Sequence, residues 1–188
     1  MKIIPYEQGS NEWLNWRRSV IGGSDSGAVL GLNQFKTEKQ IWQNKVFGWD
    51  ECISEKMKEG QRLEPLAREA YNKEKGMIFK PIVGQCKSIP YIGASFDGIS
   101  EDLTRAVEIK CGKNYHRLAK EGKAPSYLYS QLQHQIYVAD LTGIDYFSFY
   151  DGDAITMRFH RDYEFIDAML KKYNQFWEKV TKGEWYEF

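Results

Sequence analysis

Glu108 and Lys110 stand either side of one residue in the run Val107-Glu108-Ile109-Lys110, and Asp97 lies just upstream in Gly93-Ala94-Ser95-Phe96-Asp97-Gly98. In a strand, side chains alternate between faces, so Glu108 and Lys110 share one face while Val107 and Ile109 take the other. If Asp97 ends the strand before it, two carboxylates and an ammonium converge on one point. That set suits hydrolysis of a phosphodiester with a divalent cation. Hard oxygen ligands hold Mg²⁺, which stabilises charge on the displaced group and lowers the pKa of a bound water. An acid-x-base pair also occurs on solvated strand faces, so the flanking sequence has to decide.

Four further groups carry possible chemistry. Arg17 and Arg18 fall near the end of a first helix, where two cations also complement a helix dipole. Gly22-Gly23-Ser24 opens a short helix, and glycines followed by a hydroxyl present N–H and O–H groups to a phosphate, unless Ser24 merely caps its own helix. Glu64 is an acid among apolar neighbours, with Arg68 four residues on as an alternative partner. Gln131 lies with Tyr127 and His134 beside an apolar helix face and is aimed inward, where a buried amide needs partners.

The elements that must position these groups follow from punctuation and periodicity. A helix is expected from Ser10 to about Val20, capped by Ser10, and a short one from the Gly22-Gly23 turn to Leu30-Gly31. Thr37 to Gln40 has capping-box form and opens a helix that Gly48 stops. A polar stretch containing Cys52 leads to a helix from Ser54 to Lys75, stopped by Gly76, with a restart or kink at Pro65. Strands are expected at Met77 to Gln85, Ile89 to Ala94 and Ala106 to Lys110, with Asp97-Gly98 beginning the turn between the last two. Helices from Tyr115 to Glu121 and from Pro125 to Ala139 follow. Ile144 to Tyr150 and Ala154 to His160 pair through Asp151-Gly152-Asp153, and a last helix from about Asp162 to Val180 carries a wide apolar stripe.

A length of 188 residues fits one domain, 1–188, with a sizeable core. Lys+Arg 26 against Asp+Glu 26 excludes a general positive coat, so any nucleic-acid contact rests on a local patch. Aromatic content of 15% argues against a disordered chain. Cys52, Cys86 and Cys111 lack metal-type spacing and fit a reducing, cytosolic setting. No apolar run reaches the ~20 residues of a membrane span, and no signal-peptide core is evident.

In their order, these blocks resemble the YqaJ-type viral recombinases, the family of bacteriophage lambda exonuclease within the PD-(D/E)xK nuclease superfamily. The matching blocks are Trp13-x-x-x-Arg17 with Val20-Ile21-Gly22-Gly23-Ser24, then Gly60-x-x-x-Glu64 with Ala67-Arg68 and Tyr71. Ser95-Phe96-Asp97-Gly98, Glu108-Ile109-Lys110-Cys111, and Tyr127 to Val138 with Gln131-Leu132-Gln133 complete them. Phe96 stands where the superfamily has proline. The resemblance implies an α/β (α+β) fold, a central mixed β-sheet flanked by helices with a restriction-endonuclease-like core.

It also implies roles. Asp97, Glu108 and the main-chain carbonyl of Ile109 would hold Mg²⁺ or Mn²⁺, with Glu64 completing the site directly or through water. Lys110 would orient or deprotonate the attacking water, and Gln131, or Gln133 in its place, would hold that arrangement. Arg17, Ser24 and Ser95 would bind a terminal 5′ phosphate. The implied activity is 5′→3′ exonucleolytic digestion of double-stranded DNA, leaving 3′ tails for recombination. A homotrimer, a single-strand annealing partner and the cytoplasm of a bacterium or phage-infected cell go with it. Competing readings are a structure-specific or restriction-type endonuclease on the same core, or a non-catalytic DNA-end binder. Three scattered cysteines do not suit a four-thiolate iron–sulfur relative.

Overall fold

Caps and stops written in the sequence set most helix ends. Ser10 accepts from the Trp13 N–H to open α1 (Asn11–Arg18), and Thr37 with Gln40 forms a capping box on α3 (Glu38–Phe47), which Gly48 ends in the left-handed conformation. Ser54 caps α4 (Glu55–Lys75), Gly76 stops it, and Asp162 caps α7 (Tyr163–Lys182). The computed structural model describes residues 1–49 and 54–185, so Cys52 and part of the polar stretch around it lie outside the described residues. The restart expected at Pro65 does not occur, because α4 runs through it. Pro65 is exposed, so the Gln61 carbonyl that it leaves without an N–H donor can turn to water.

The remaining helices are α2 (Gly23–Val29), α5 (Lys113–Lys120) and α6 (Ser126–Ala139). The strands are β1 (Lys2–Ile4), β2 (Phe79–Gln85), β3 (Gly93–Ser100), β4 (Ala106–Cys111), β5 (Gly143–Tyr150) and β6 (Asp153–His160). They form one sheet in the order β1-β2-β3-β4-β5-β6. Every neighbouring pair is antiparallel except β4 and β5, which are parallel and are joined by the crossover through α5 and α6. The mixed, helix-flanked sheet is the architecture expected from the sequence. β1, three residues on a sheet edge, was not.

The expected strand Ile89 to Ala94 and the turn at Asp97-Gly98 are both displaced. β3 begins at Gly93 and passes straight through Asp97-Gly98, and the chain turns at Leu103, which has φ 60°. Asp97-Gly98 is a β-bulge: Lys80 pairs with Ile99 but Ile82 pairs with Phe96, so two residues of β3 oppose Pro81 alone. Proline has no N–H for the ladder, and a bulge re-aims the side chain at its centre. Gly98 is required there because a Cβ would come within 2.8 Å of Val107 Cγ1 and 2.9 Å of Phe79 Cβ.

Alternation in β4 and β5 divides the core. Val107, Ile109 and Phe147 face α4 and pack with Ala67, Tyr71 and Phe79. Ala106 and Tyr146 face the opposite layer, with Leu128, Leu132 and Ile136 of α6 and Met169, Tyr173 and Phe176 of α7. Glu108 is on the α6 side of the sheet and only 1% exposed. An acid there is stable only if every oxygen is answered.

Candidate active site

The β3–β4 ladder closes at Gly98–Val107 and then forks. Beyond it, the Ile109 N–H donates to Asp97 Oδ2 at 2.7 Å, so a carboxylate takes the place of the missing strand neighbour. Backbone N–H and C=O of one strand residue point to the same edge. Gly112 N bonds to Phe149 O on the β5 side, which leaves odd-numbered residues of β4 facing β3. The Ile109 carbonyl therefore points into the fork beside Asp97. Glu108 and Lys110 share the α6 face as alternation requires, and the Lys110 ammonium donates to Glu108 Oε1.

Two amides from α6 answer the rest of Glu108. Gln131 Nε2 donates to Oε1 at 2.7 Å and Gln135 Nε2 to Oε2 at 2.6 Å. Their i, i+4 spacing places both on one helix face. His134 fixes the register between α6 and β3. Its Nε2 lies 2.7 Å from the Gly93 carbonyl and its Nδ1 2.8 Å from the Tyr173 hydroxyl. A carbonyl only accepts, so the proton is on Nε2 and Nδ1 receives the tyrosine. Burial lowers the His134 pKa to about 4, which keeps the ring neutral. Gln133 is not an alternative to Gln131: it donates to His160 O at 2.8 Å and accepts from Asp162 N at 2.9 Å, holding the entry to α7.

Glu64 stands at the edge of this group. Its Oε1 is held by Arg68 at 2.9 Å, the i, i+4 alternative weighed from the sequence, and the same Arg68 nitrogen donates to the Asp97 carbonyl at 2.5 Å. Glu64 thus reaches Asp97 through a guanidinium. No three His, Cys, Asp or Glu side chains among the described residues form a ready-made cation cage. The donors that are present nevertheless fit a hard cation: two carboxylates and a carbonyl, all oxygen, with an ammonium already lying on one of them. Burial, then the charge of Glu108, raise the Asp97 carboxyl well above its usual range, because two carboxylates meet in one poorly hydrated fork. At Lys110 burial acts against the ammonium, but Glu108 and Asp97 outweigh it and raise its pKa.

The three residues expected to bind a terminal phosphate also assemble. Arg17 donates to Ser24 Oγ at 3.0 Å, and its guanidinium lies 4.7 Å from the centre of the Trp13 ring. Trp13 Nε1 in turn donates to Ser95 Oγ at 2.8 Å. Gly22 and Gly23 do something other than expected. The Gly22 N–H is taken by Asp25 Oδ2 at 3.0 Å, and both glycines are buried where α2 meets α6. Ser24 does not cap α2, whose N-cap is Gly22, and its hydroxyl is exposed.

Asp25 and Lys45 form the buried support under Arg17. Lys45 Nζ donates to Asp25 Oδ2 and to the Arg17 carbonyl, both at 2.7 Å. Burial would raise the Asp25 carboxyl, but the charges of Lys45, Arg17 and Lys36 outweigh it and hold its pKa well below the usual carboxylate range. A carboxyl depressed by folding stabilises fully above its unfolded pKa, about 4, and loses that contribution as pH falls towards the folded value. Asp25→Asn is therefore expected to flatten the acid limb of stability below about pH 4. Urea midpoints from pH 7 to pH 3 check this, and an unchanged acid slope contradicts it.

Trp13, Arg68, His134 and Gln135 were not singled out for the site from the sequence. Gln135 had a usable signal in its i, i+4 relation to Gln131. Trp13 and Arg68 had only their i, i+4 relations to Arg17 and Glu64; the links to Ser95 and Asp97 that place them at the site come from β3.

A profile of the YqaJ-like viral recombinase domain matches residues 12–143. Uncharacterized protein YqaJ of Bacillus subtilis (strain 168) is 27% identical over 190 residues, an alignment that takes in 95% of this chain and 59% of that protein. The chain thus spans less than two thirds of that relative's length. An alkaline exonuclease of Laribacter hongkongensis, also solved in complex with dAMP, superposes with a TM-score of 0.81 at 24% identity, covering 93% of this chain and 94% of the other. A phage-related exonuclease from Haemophilus somnus 129PT gives 0.69 at 14% identity, covering 91% and 99%. At these identities the likeness is one of fold.

Proposed function

The chain belongs to the YqaJ-like viral recombinase domain family, and from that premise we propose that residues 1–188 are one nuclease domain. It is a Mg²⁺-dependent exonuclease that digests linear double-stranded DNA from 5′ ends and leaves 3′ single-stranded tails for recombination. One observation carries the reading. β3 bears Ser95, joined through Trp13 to Arg17, and two residues later Asp97, joined to Ile109 at the fork. Two residues of strand span ~6–7 Å. A terminal phosphate gripped at Arg17, Ser24 and Ser95 therefore lies near the carboxylates. The solved proteins of the same fold described as exonucleases, one bound to dAMP, support the reading.

Asp97, Glu108 and the Ile109 carbonyl would hold the cation, and Glu64 would join them on release from Arg68. When bound, the cation supplies charge neutralisation at the departing 3′ oxygen and a more acidic water. Mn²⁺ has the same preference for oxygen ligands. Lys110 orients or deprotonates the attacking water, and Gln131 holds Glu108 in place for it. Duplex DNA ends, a homotrimer and a single-strand annealing partner belong to the same proposal, as does the cytoplasm of a bacterium or phage-infected cell. No helix among the described residues is long and apolar enough to cross a membrane.

The test is digestion of linear and closed circular duplex, with and without 5′ phosphate, in Mg²⁺ or chelator. Mg²⁺-dependent loss of linear DNA from its 5′ ends with circles intact is the expected result; cut circles would point to an endonuclease, and no loss at all to an end binder. Within the same assay, Arg17→Ala should lower kcat/KM on 5′-phosphorylated ends by about 10–100-fold, equivalent to about 1.5–3 kcal/mol for a hydrogen bond to a charged group. Ends carrying a 5′ hydroxyl should be little affected. Equal loss on both would make Arg17 a structural residue.

A further inference from the structure

Gln135 is wholly buried, and its amide is used on one side only. Nε2 donates to Glu108 Oε2 at 2.6 Å and to the Ser95 carbonyl at 3.3 Å, whereas Oε1 is buried without a partner. Buried amides normally satisfy both ends, so an amide held only through its nitrogen, between two functional residues, needs a reason. We propose that Gln135 is a positioning residue that couples terminal-phosphate binding to the cation site. This rests on the exonuclease reading above and adds to it how one site senses the other.

The path is continuous. Arg17 reaches Ser24 and lies on the Trp13 ring, Trp13 Nε1 holds the Ser95 hydroxyl, the Ser95 carbonyl receives Gln135, and Gln135 holds Glu108. A carboxylate offers about four lone-pair directions, two on each oxygen. Lys110 and Gln131 occupy those on Oε1, and Gln135 takes one on Oε2. What remains for a cation is the second direction on Oε2, the oxygen that Gln135 orients. A phosphate that draws on Ser95 and Arg17 changes how firmly Gln135 is held, and with it the aim of that oxygen.

Coupling of this kind is reciprocal: if the cation strengthens phosphate binding, phosphate strengthens cation binding by the same factor. The experiment is calorimetric titration of Mn²⁺ into the full chain bound to duplex with phosphorothioate end linkages, carrying either a 5′ phosphate or a 5′ hydroxyl. In the wild type, Mn²⁺ should bind more tightly beside the 5′ phosphate. In Gln135→Met, which keeps the shape and removes the donor, Mn²⁺ should bind about tenfold or more weakly, and equally with either end. A wild type with no difference between ends, or a Gln135→Met variant that keeps the difference, overturns the coupling. A merely structural Gln135 would give the latter. Should Gln135→Met fail to fold, Trp13→Phe decides alone. It removes the donor to Ser95 and should abolish the difference between ends; keeping that difference overturns the proposal. No turnover is read, so a wild type that shows the enhancement but never cleaves would sink the exonuclease reading and leave the coupling standing.

Discussion

Lys110→Ala is expected to slow cleavage by about 10²–10⁴-fold, the span of a positioned proton-transfer group, while duplex-end binding is largely kept. The ammonium lies on Glu108 Oε1 and belongs to a strand locked between β3 and β5. Its loss removes the ammonium bonded to Glu108 Oε1, but Glu108 keeps both amides of α6. In the proposed arrangement, end binding rests on Arg17, Ser24 and Ser95, whose side-chain hydrogen bonds run to one another and to Trp13 and not to Lys110. Steady-state rates together with anisotropy on a 5′-phosphorylated duplex check the split. Full turnover by the variant would remove Lys110 from the chemistry, and lost binding would make it a structural residue.

Asp97→Asn should have an effect of similar size on cleavage, without a loss of stability. The amide oxygen can still accept from the Ile109 N–H, so the fork keeps its shape. The charge that the cation needs is gone, and cleavage should fall by about 10³-fold or more, which matches the several kcal/mol such an ion supplies. In chelator the variant should be no less stable than wild type, because one of two mutually repelling carboxylates, half-buried Asp97 beside buried Glu108, has been neutralised. Thermal melting with and without Mn²⁺ reads this directly: Mn²⁺ should raise the melting temperature of wild type and leave Asp97→Asn unmoved. A variant that still cleaves, or still gains from Mn²⁺, would place the cation elsewhere.

Much of this arrangement is legible in the sequence. Period-two alternation alone put Glu108 and Lys110 on one face of β4, and helical spacing aimed Gln131 inward at the sheet, where its partner proves to be Glu108. Helix ends were readable because Ser10, Thr37, Ser54, Gly48 and Gly76 act within their own few residues. Asp97-Gly98 was misread because a turn and a bulge ask for the same residue types. What separates them here is Pro81 on the neighbouring strand, which local sequence does not bring into register. The roles of Trp13, Arg68 and Gln135 depend likewise on partners from β3, 82, 29 and 40 residues away along the chain. The Gly22-Gly23 pair suggested an open phosphate seat, whereas Gly23 is buried against α6, and the close approach of the two helices rests on Gly27, where a Cβ would come within 2.6 Å of Tyr127 Cβ.

The shared cation is the claim on which the rest depends, and anomalous diffraction from Mn²⁺-soaked crystals tests it most directly. One strong peak is predicted at the fork of β3 and β4, with oxygens of Asp97 and Glu108 and the Ile109 carbonyl each at about 2.0–2.3 Å, the range for hard cations of this size. Carboxylates of positions 97 and 108 with no peak between them at saturating Mn²⁺, or a peak bound to only one of the two, would contradict it.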